Sequence, residues 1–317
     1  EWCPVLSGVA QGSVLGPLLS MLIINDISTV CSADVNHQLF ADDLKLYTSV
    51  ETNNNISNLQ ISLDNLQTWC ATWQLDVNIS KCCVLHLGKN NSCNSYYLFG
   101  SLIPTSDNVV DLGVSINHSN LKFDCHINNI VSKALSRVGC LFKGFCCRSP
   151  LFLKTAFVTY VRPLLEYASN VWNPYLLKHI NGIENVQRRF TKRIPSLSHL
   201  SYPERLAALD LESLELRRLK ADLVLYYKIL HNLVNIPRSH LPPTPREPNI
   251  DTRSQVPHLS LPVSSTNELD NNFFSRCVSS WNFLPQSVVS SPSINSFKTN
   301  ISTVDFSPFL HGTIFNT

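Results

Sequence analysis

Asp42 and Asp43 lie side by side in "LFADDLKLY" (39–47), between short apolar, β-prone runs. Two adjacent carboxylates repel one another, so their presence asks for a compensating partner. Successive strand residues point to opposite faces, and neighbouring aspartates share a target only at a turn. Placed there, they can coordinate Mg²⁺, a hard cation that takes carboxylate and phosphate oxygens. Paired metals about 3.5–4 Å apart activate a hydroxyl and stabilise a leaving pyrophosphate in nucleotidyl transfer. An isolated Asp-Asp pair is more often a solvated turn, so its surroundings decide.

The elements around the pair are legible. "HQLFADDLKLYTSV" (37–50) reads as strand, tight turn, strand. Upstream, "SGVAQGSVLGP" (7–17) predicts a Gly-rich loop and a Ser13-capped helix with Pro17 in its first turn. Downstream, Ile56, Leu59, Leu63, Leu66, Trp69, Cys70 and Trp73 fall at helical spacing. "KCCVLHLG" (81–88) and "NVVDLGVSI" (108–116) read as further strands. A mixed sheet with helices is therefore expected over 1–116. From 121 to 234 the pattern turns helical, with candidates at 126–145, 179–194 and 203–233. Seven prolines in 237–262 predict a linker, and apolar residues return in 273–301. The fold class is α+β, in three parts: 1–116, a basic helical region 117–235, and a Pro-rich linker with a short C-terminal segment, 236–317.

Composition narrows the function classes. The 317 residues are 44% hydrophobic and 15% charged, as in ordinary globular proteins. No apolar run reaches the roughly 18 residues of a membrane span. Residues 1–120 hold 3 basic and 10 acidic side chains, whereas 121–240 hold 18 and 8. Such asymmetry suggests one part that holds cations and another that grips a polyanion. In 179–194, Ile180, Ile183, Val186, Phe190 and Ile194 share one helical face, and Arg188, Arg189, Lys192 and Arg193 the opposite one. That basic face is either solvated or set against a phosphate backbone. The 11 cysteines contain no C-x-x-C and read as buried intracellular thiols rather than a zinc site. The only methionine is Met21, so the chain is expected to begin mid-domain.

Taken together, "LFADDLKLY" and "SGVAQGSVLGPLL" (7–19) resemble the catalytic hairpin and the "GVPQGSVLGPLLF" block of non-LTR retrotransposon reverse transcriptases, of the jockey and chicken-repeat kind. Ala10 stands where the family has proline, and Ile24 where it has tyrosine. "WCATWQLDVNISKCCVLHLG" (69–88), "DLGVSI" (111–116), "YVRPLLEYASNVWNP" (160–174), "IENVQRRFTKRI" (183–194) and "FFSRCVSSWNFLPQSV" (273–288) extend the resemblance over nearly the whole chain.

The resemblance implies a partial polymerase palm followed by a mostly helical thumb and C-terminal region. By it, Asp42 and Asp43 would be catalytic metal ligands, and Lys81 would face the leaving pyrophosphate. Gln11 and Gly12 would lie against template and nucleotide, Leu112 and Gly113 would position the primer, and Arg188, Arg189, Lys192 and Arg193 would contact the nucleic-acid backbone. The implied cofactor is Mg²⁺, in an incomplete two-metal site, because the family's third carboxylate belongs upstream of Ser7. The implied partners are an RNA template, a DNA primer and deoxynucleoside triphosphates, with no membrane, inside the cell in nucleus or cytoplasm. The expectation is a fragment of an RNA-directed DNA polymerase that does not polymerise alone. The alternative is a non-catalytic nucleic-acid-binding remnant; a relic that never folds independently is the third reading.

Overall fold

The computed structural model describes residues 12–88, 91–117, 123–236 and 271–312. It divides into two compact units: Glu1–Val109 with Asn117–Asn120, and Val110–Ile116 with Leu121–Thr317.

In the first unit, helix α1 (Gly16–Ile24) has Leu15 at its N-cap position, two residues after the anticipated Ser13. Ser13 Oγ accepts a 3.0 Å hydrogen bond from the Gly16 amide, and Pro17 occupies the first turn. The apolar side chains of Leu18, Leu19, Met21 and Leu22 remain exposed. A 3₁₀ segment (Asn25–Val30) leads to strands β1 (Asn36–Phe40) and β2 (Asp43–Tyr47), which pair antiparallel. Helix α2 (Asn53–Trp73) spans the anticipated periodic run. Thr52 caps it by accepting from the Asn55 amide, and Gln74 ends it at φ +53°.

One stretch of α2 packs Leu66 and Cys70 against Ile27 and Val30, while Ile56, Leu59 and Leu63 pack against Tyr96, Leu98 and Ile103. Its polar side chains substitute for missing backbone partners. Gln60 both accepts from the Tyr97 amide and donates to the Tyr97 carbonyl, each at 2.9 Å. The edge of β3 (Tyr97–Leu98), which pairs with β4 (Ser101–Leu102), is thereby satisfied by a side chain.

The run 81–88 does not form the expected strand. It follows a 3₁₀ turn (Ile79–Lys81) and pairs only through one bridge, Val84 to Thr105. There the Val84 amide donates to the Pro104 carbonyl and the Val84 carbonyl accepts from the Ser106 amide, while Pro104 has no N–H with which to extend the ladder. The run 108–116 does form strands, β5 (Asn108–Asp111) and β6 (Val114–Asn117). The α+β class holds, but among the described residues the sheet exists as three separate two-stranded pairs.

The second unit is helical. Helices α3 (Asp124–Gly144), α4 (Pro150–Tyr160), α5 (Arg162–Glu166), α6 (Ser169–Trp172) and α7 (Leu177–Lys192) surround one core. Ile127, Ile130, Ala134, Val138 and Leu141 line the inner face of α3, and Ile183, Val186 and Phe190 that of α7. Phe157 stacks on Phe190 with ring centroids 4.5 Å apart. Burying side chains of this size is worth about 1.5–3 kcal/mol each. Helices α4 to α6 were not anticipated from periodicity. The helix expected over 203–233 is two: α8 (Tyr202–Leu209) and α9 (Leu214–Leu230). Asp210 adopts φ +47°, ending α8, and Ser213 then caps α9 by accepting from the Leu216 amide.

Helices α10 (Phe273–Asn282), α11 (Gln286–Val289) and α12 (Ile294–Ile301) build a second cluster on α9 around Tyr226, Tyr227, Trp281 and Phe297. Trp172 and Trp281 are buried core anchors. The expected Pro-rich linker, 237–262, lies outside the described residues. Among the described residues no helix is long and apolar enough to cross a membrane.

Candidate active site and nucleic-acid interface

The register of the first hairpin places the aspartates. Phe40 pairs with Asp43 and Leu39 with Leu44, leaving Ala41 and Asp42 as a two-residue loop. Ala41 takes φ +52°, a left-handed conformation costing an L-residue about 1–2 kcal/mol. Asp42 is therefore at the tip and Asp43 opens β2, both exposed. Leu44 reaches inward to the cluster of Ile27, Val30, Leu66 and Cys70, and so anchors the hairpin from the opposite side.

Two exposed carboxylates on one tip are the right donors for a hard divalent cation. They are incomplete in number. Among the described residues no group of three or more His, Cys, Asp or Glu side chains could hold a metal ion. The donor set fits Mg²⁺ in kind and falls short in count.

The other anticipated site residues sit as follows. Lys81 is exposed at the end of the 3₁₀ turn 79–81. Gly12 takes φ +81°, and a Cβ there would meet nothing within 4 Å. A glycine is thus required by the backbone conformation while the space above it stays open. Gln11 lies outside the described residues.

Leu112 and Gly113 form the turn between β5 and β6, at φ +44° and +84°. Positive φ at both central residues is the pattern of a tight hairpin turn, and leucine is a costly occupant of the first position. Residues that motif reading did not single out hold this turn. The Tyr167 hydroxyl donates to the Leu112 carbonyl at 2.9 Å, and a Cβ on Gly113 would stand 3.4 Å from the Tyr167 ring. The Tyr167 carbonyl in turn accepts from Trp172 Nε1 at 2.8 Å. Trp172 packs on His126 with centroids 5.4 Å apart, and His126 Nδ1 accepts from the Ser115 amide at 3.2 Å. Val114 is buried in the helical core. The turn, itself part of the second unit, is thereby held to that unit's helices at Leu112, Val114 and Ser115. The only prior signal was an aromatic-rich run, 160–174, with no periodicity to assign roles.

On α7 the basic residues take two kinds of position. Arg189 is exposed. Arg188 lies over the Tyr202 ring at 5.1 Å, Arg193 over Phe142 at 4.2 Å, and Lys192 Nζ donates to the Ser198 carbonyl at 2.6 Å. Cation–π contacts hold a guanidinium in place without neutralising it. These four residues, with Arg205 from α8, line a cavity of about 660 Å³. Arg205 was not anticipated; it is buried and lies outside the α7 periodicity that revealed the others.

Beneath α7 lies a buried polar cluster. Glu184 accepts from the Tyr202 hydroxyl and from the Leu214 amide at 2.9 Å, so its carboxylate sits at the start of α9. Burial pushes the Glu184 carboxyl upward, opposed by these donors and by the Arg218 charge. Burial and the adjacent Glu184 carboxylate push the Tyr202 hydroxyl upward, so that Tyr202 stays a neutral donor.

Comparison with known proteins gives this arrangement a class. Residues 1–123, which contain both the Gly-rich block and the Asp42–Asp43 hairpin, match the family "Reverse transcriptase (RNA-dependent DNA polymerase)". The chain is 31% identical over 202 residues to the RNA-directed DNA polymerase from mobile element jockey of Drosophila melanogaster, covering 60% of this chain and 22% of that protein. The Drosophila funebris jockey polymerase is 28% identical, over 59% of this chain and 22% of its own length. The probable RNA-directed DNA polymerase from transposon X-element of Drosophila melanogaster is 26% identical, over 60% and 22%. Over these residues the chain is similar to the RNA-directed DNA polymerases of mobile elements, and it spans about a fifth of the length of those curated relatives. No solved structure matches it.

Proposed function

We propose that the chain contributes to template-primed nucleotidyl transfer, in which a primer 3′-hydroxyl attacks the α-phosphate of a deoxynucleoside triphosphate and pyrophosphate leaves. The observation that supports this reading is the hairpin tip, where register and a strained Ala41 turn present Asp42 and Asp43 together. Asp42 and Asp43 would hold Mg²⁺, which supplies charge neutralisation at the reacting phosphate. Lys81 would face the departing pyrophosphate, and Gln11 with Gly12 the templating base and incoming nucleotide. The Leu112–Gly113 turn would set the primer end. Arg188, Arg189, Lys192 and Arg193 would follow the phosphate backbone of an RNA template paired with its DNA primer.

The incomplete carboxylate set gives the full chain a definite expectation: it binds a primed RNA template and does not extend it. The test incubates the purified 317-residue chain with primed RNA, deoxynucleotides and Mg²⁺. Appreciable extension abolished by Asp42→Asn would show that the two aspartates suffice. Binding weakened by salt, without extension, supports the non-catalytic alternative for this chain, a nucleic-acid binder, which the basic cavity on α7 favours.

A further inference from the structure

We infer that the cavity between α3, α7 and α8 is a nucleotide-binding site, with phosphates against its arginines and the nucleoside against its apolar floor. This rests on the reading of the second unit as a nucleic-acid-handling region and gives that region a discrete site in place of a charged face. A nucleoside phosphate free in solution and a nucleotide at the end of a strand share the required chemistry.

The cavity holds Arg188, Arg189, Lys192, Arg193 and Arg205 on one side and Leu135 and Val138 on the other, in about 660 Å³. That volume suits a small-molecule ligand; sites of this kind occupy roughly 300–1,000 Å³. Its charge is uncompensated. Among the described residues, no carboxylate lies within ion-pair distance of any of the five cations. The nearby Glu184 is committed elsewhere, to Tyr202 and to the Leu214 and Glu215 amides. Five cations gathered without a counter-charge repel one another, and an anion with several oxygens removes that cost.

Two further features give the site a built character. Arg188 and Arg205 lie over the same Tyr202 ring, at 5.1 and 5.4 Å, so two like charges are held near one another. Arg205 is 4% exposed and is fixed by Thr191 Oγ1 at 3.1 Å and the Leu200 carbonyl at 2.6 Å. Its guanidinium carries five N–H donors in all, which leaves others for a ligand. Arg188 Nε is buried and has no hydrogen-bond partner. A buried donor left unpaired is costly, and a phosphate oxygen satisfies it. Val138 and Leu135 add an apolar wall that inorganic phosphate would not use and a sugar or base would.

The experiment measures binding of a fluorescent-labelled nucleoside triphosphate to the full chain, with unlabelled nucleoside triphosphate, inorganic tripolyphosphate and single-stranded oligonucleotides, with and without a 5′-phosphate, as competitors. The nucleoside triphosphate is expected to compete better than tripolyphosphate, and the 5′-phosphorylated oligonucleotide better than its unphosphorylated form. Arg189→Gln, an exposed change that spares the fold, is expected to weaken binding about tenfold, the scale of one charge-assisted hydrogen bond. Arg205→Gln is expected to weaken it further, with circular dichroism reporting whether the fold is kept. Equal competition by tripolyphosphate, or binding unmoved by Arg189→Gln, overturns the proposal. If the oligonucleotides bind regardless of Arg189, the nucleic-acid reading stands and the nucleotide site falls; if nothing binds, both fall.

Discussion

The hydroxyl of Tyr167 donates to the carbonyl of Leu112 across 2.9 Å and 55 positions of sequence. Leu112 is held at φ +44°, where a branched side chain is strained, and Tyr167 is one of the contacts that keep it there. Tyr167→Phe should therefore destabilise the chain by about 0.5–1.5 kcal/mol, the net worth of one hydrogen bond. Amide exchange should accelerate at Leu112 to Val114 before elsewhere. Unchanged exchange in that turn would show that the bond does not hold it.

Asp42 and Asp43 carry their repulsion on an exposed hairpin. At low ionic strength, Asp42→Asn should raise the melting temperature slightly, and added salt should erase the difference. Mg²⁺ should raise the wild-type midpoint more than the variant's, whose midpoint should respond only at about tenfold higher Mg²⁺ after one ligand is lost. An equal Mg²⁺ response in both proteins would remove the pair from metal binding. Ala41→Gly, at φ +52°, should gain up to about 1 kcal/mol by relieving the left-handed alanine.

Much of the helical scaffold was legible, because Ile56 to Trp73 and His179 to Ile194 each show one clean periodicity. So was the hairpin at Asp42–Asp43, where turn residues separate two β-prone runs. The strand expected at 81–88 failed because its propensity was satisfied by a single bridge beside Pro104, a property of the partner rather than of the run. The break at Asp210 was equally hidden, since the apolar spacing continues across it and only backbone geometry marks the turn. Arg205 and Tyr167 came into the candidate sites from other elements, by tertiary packing that spacing along one helix cannot report.

His126 gives the fold a pH dependence. Burial, with a smaller contribution from Lys133, lowers its pKa below the ordinary 6.5, and Nδ1 must stay unprotonated to accept from Ser115. Below about pH 6.5 the unfolded chain binds the proton more readily, so stability falls with pH until the lower folded pKa is passed. His126→Gln, which keeps an acceptor and cannot titrate, should flatten that part of the profile. Parallel wild-type and variant curves from pH 7 to 5 would sink this account.

The two units differ in how much core they own. The first has small clusters, centred on Leu66 with Cys70 and on Tyr96 with Leu98, whereas the second buries a continuous core from Val114 to Leu214. Limited proteolysis should cut within 36–109 before it cuts within 124–230, and urea should unfold the first unit at the lower concentration. A single coincident transition by both probes would contradict this.

Helix α9 is closed by residues far along the chain. Arg276 pairs with Asp222 and reaches the Asn170 carbonyl, while the His311 and Gly312 amides donate to Glu215. During synthesis, then, α9 emerges long before its partners, and its carboxylates wait in water until residue 312 has cleared the ribosome. A premature stop between α9 and α10 would remove these contacts and leave Tyr226 and Tyr227 without their cover. The helical unit is thus a check on its own reading frame: only a chain made through residue 312 yields the closed core.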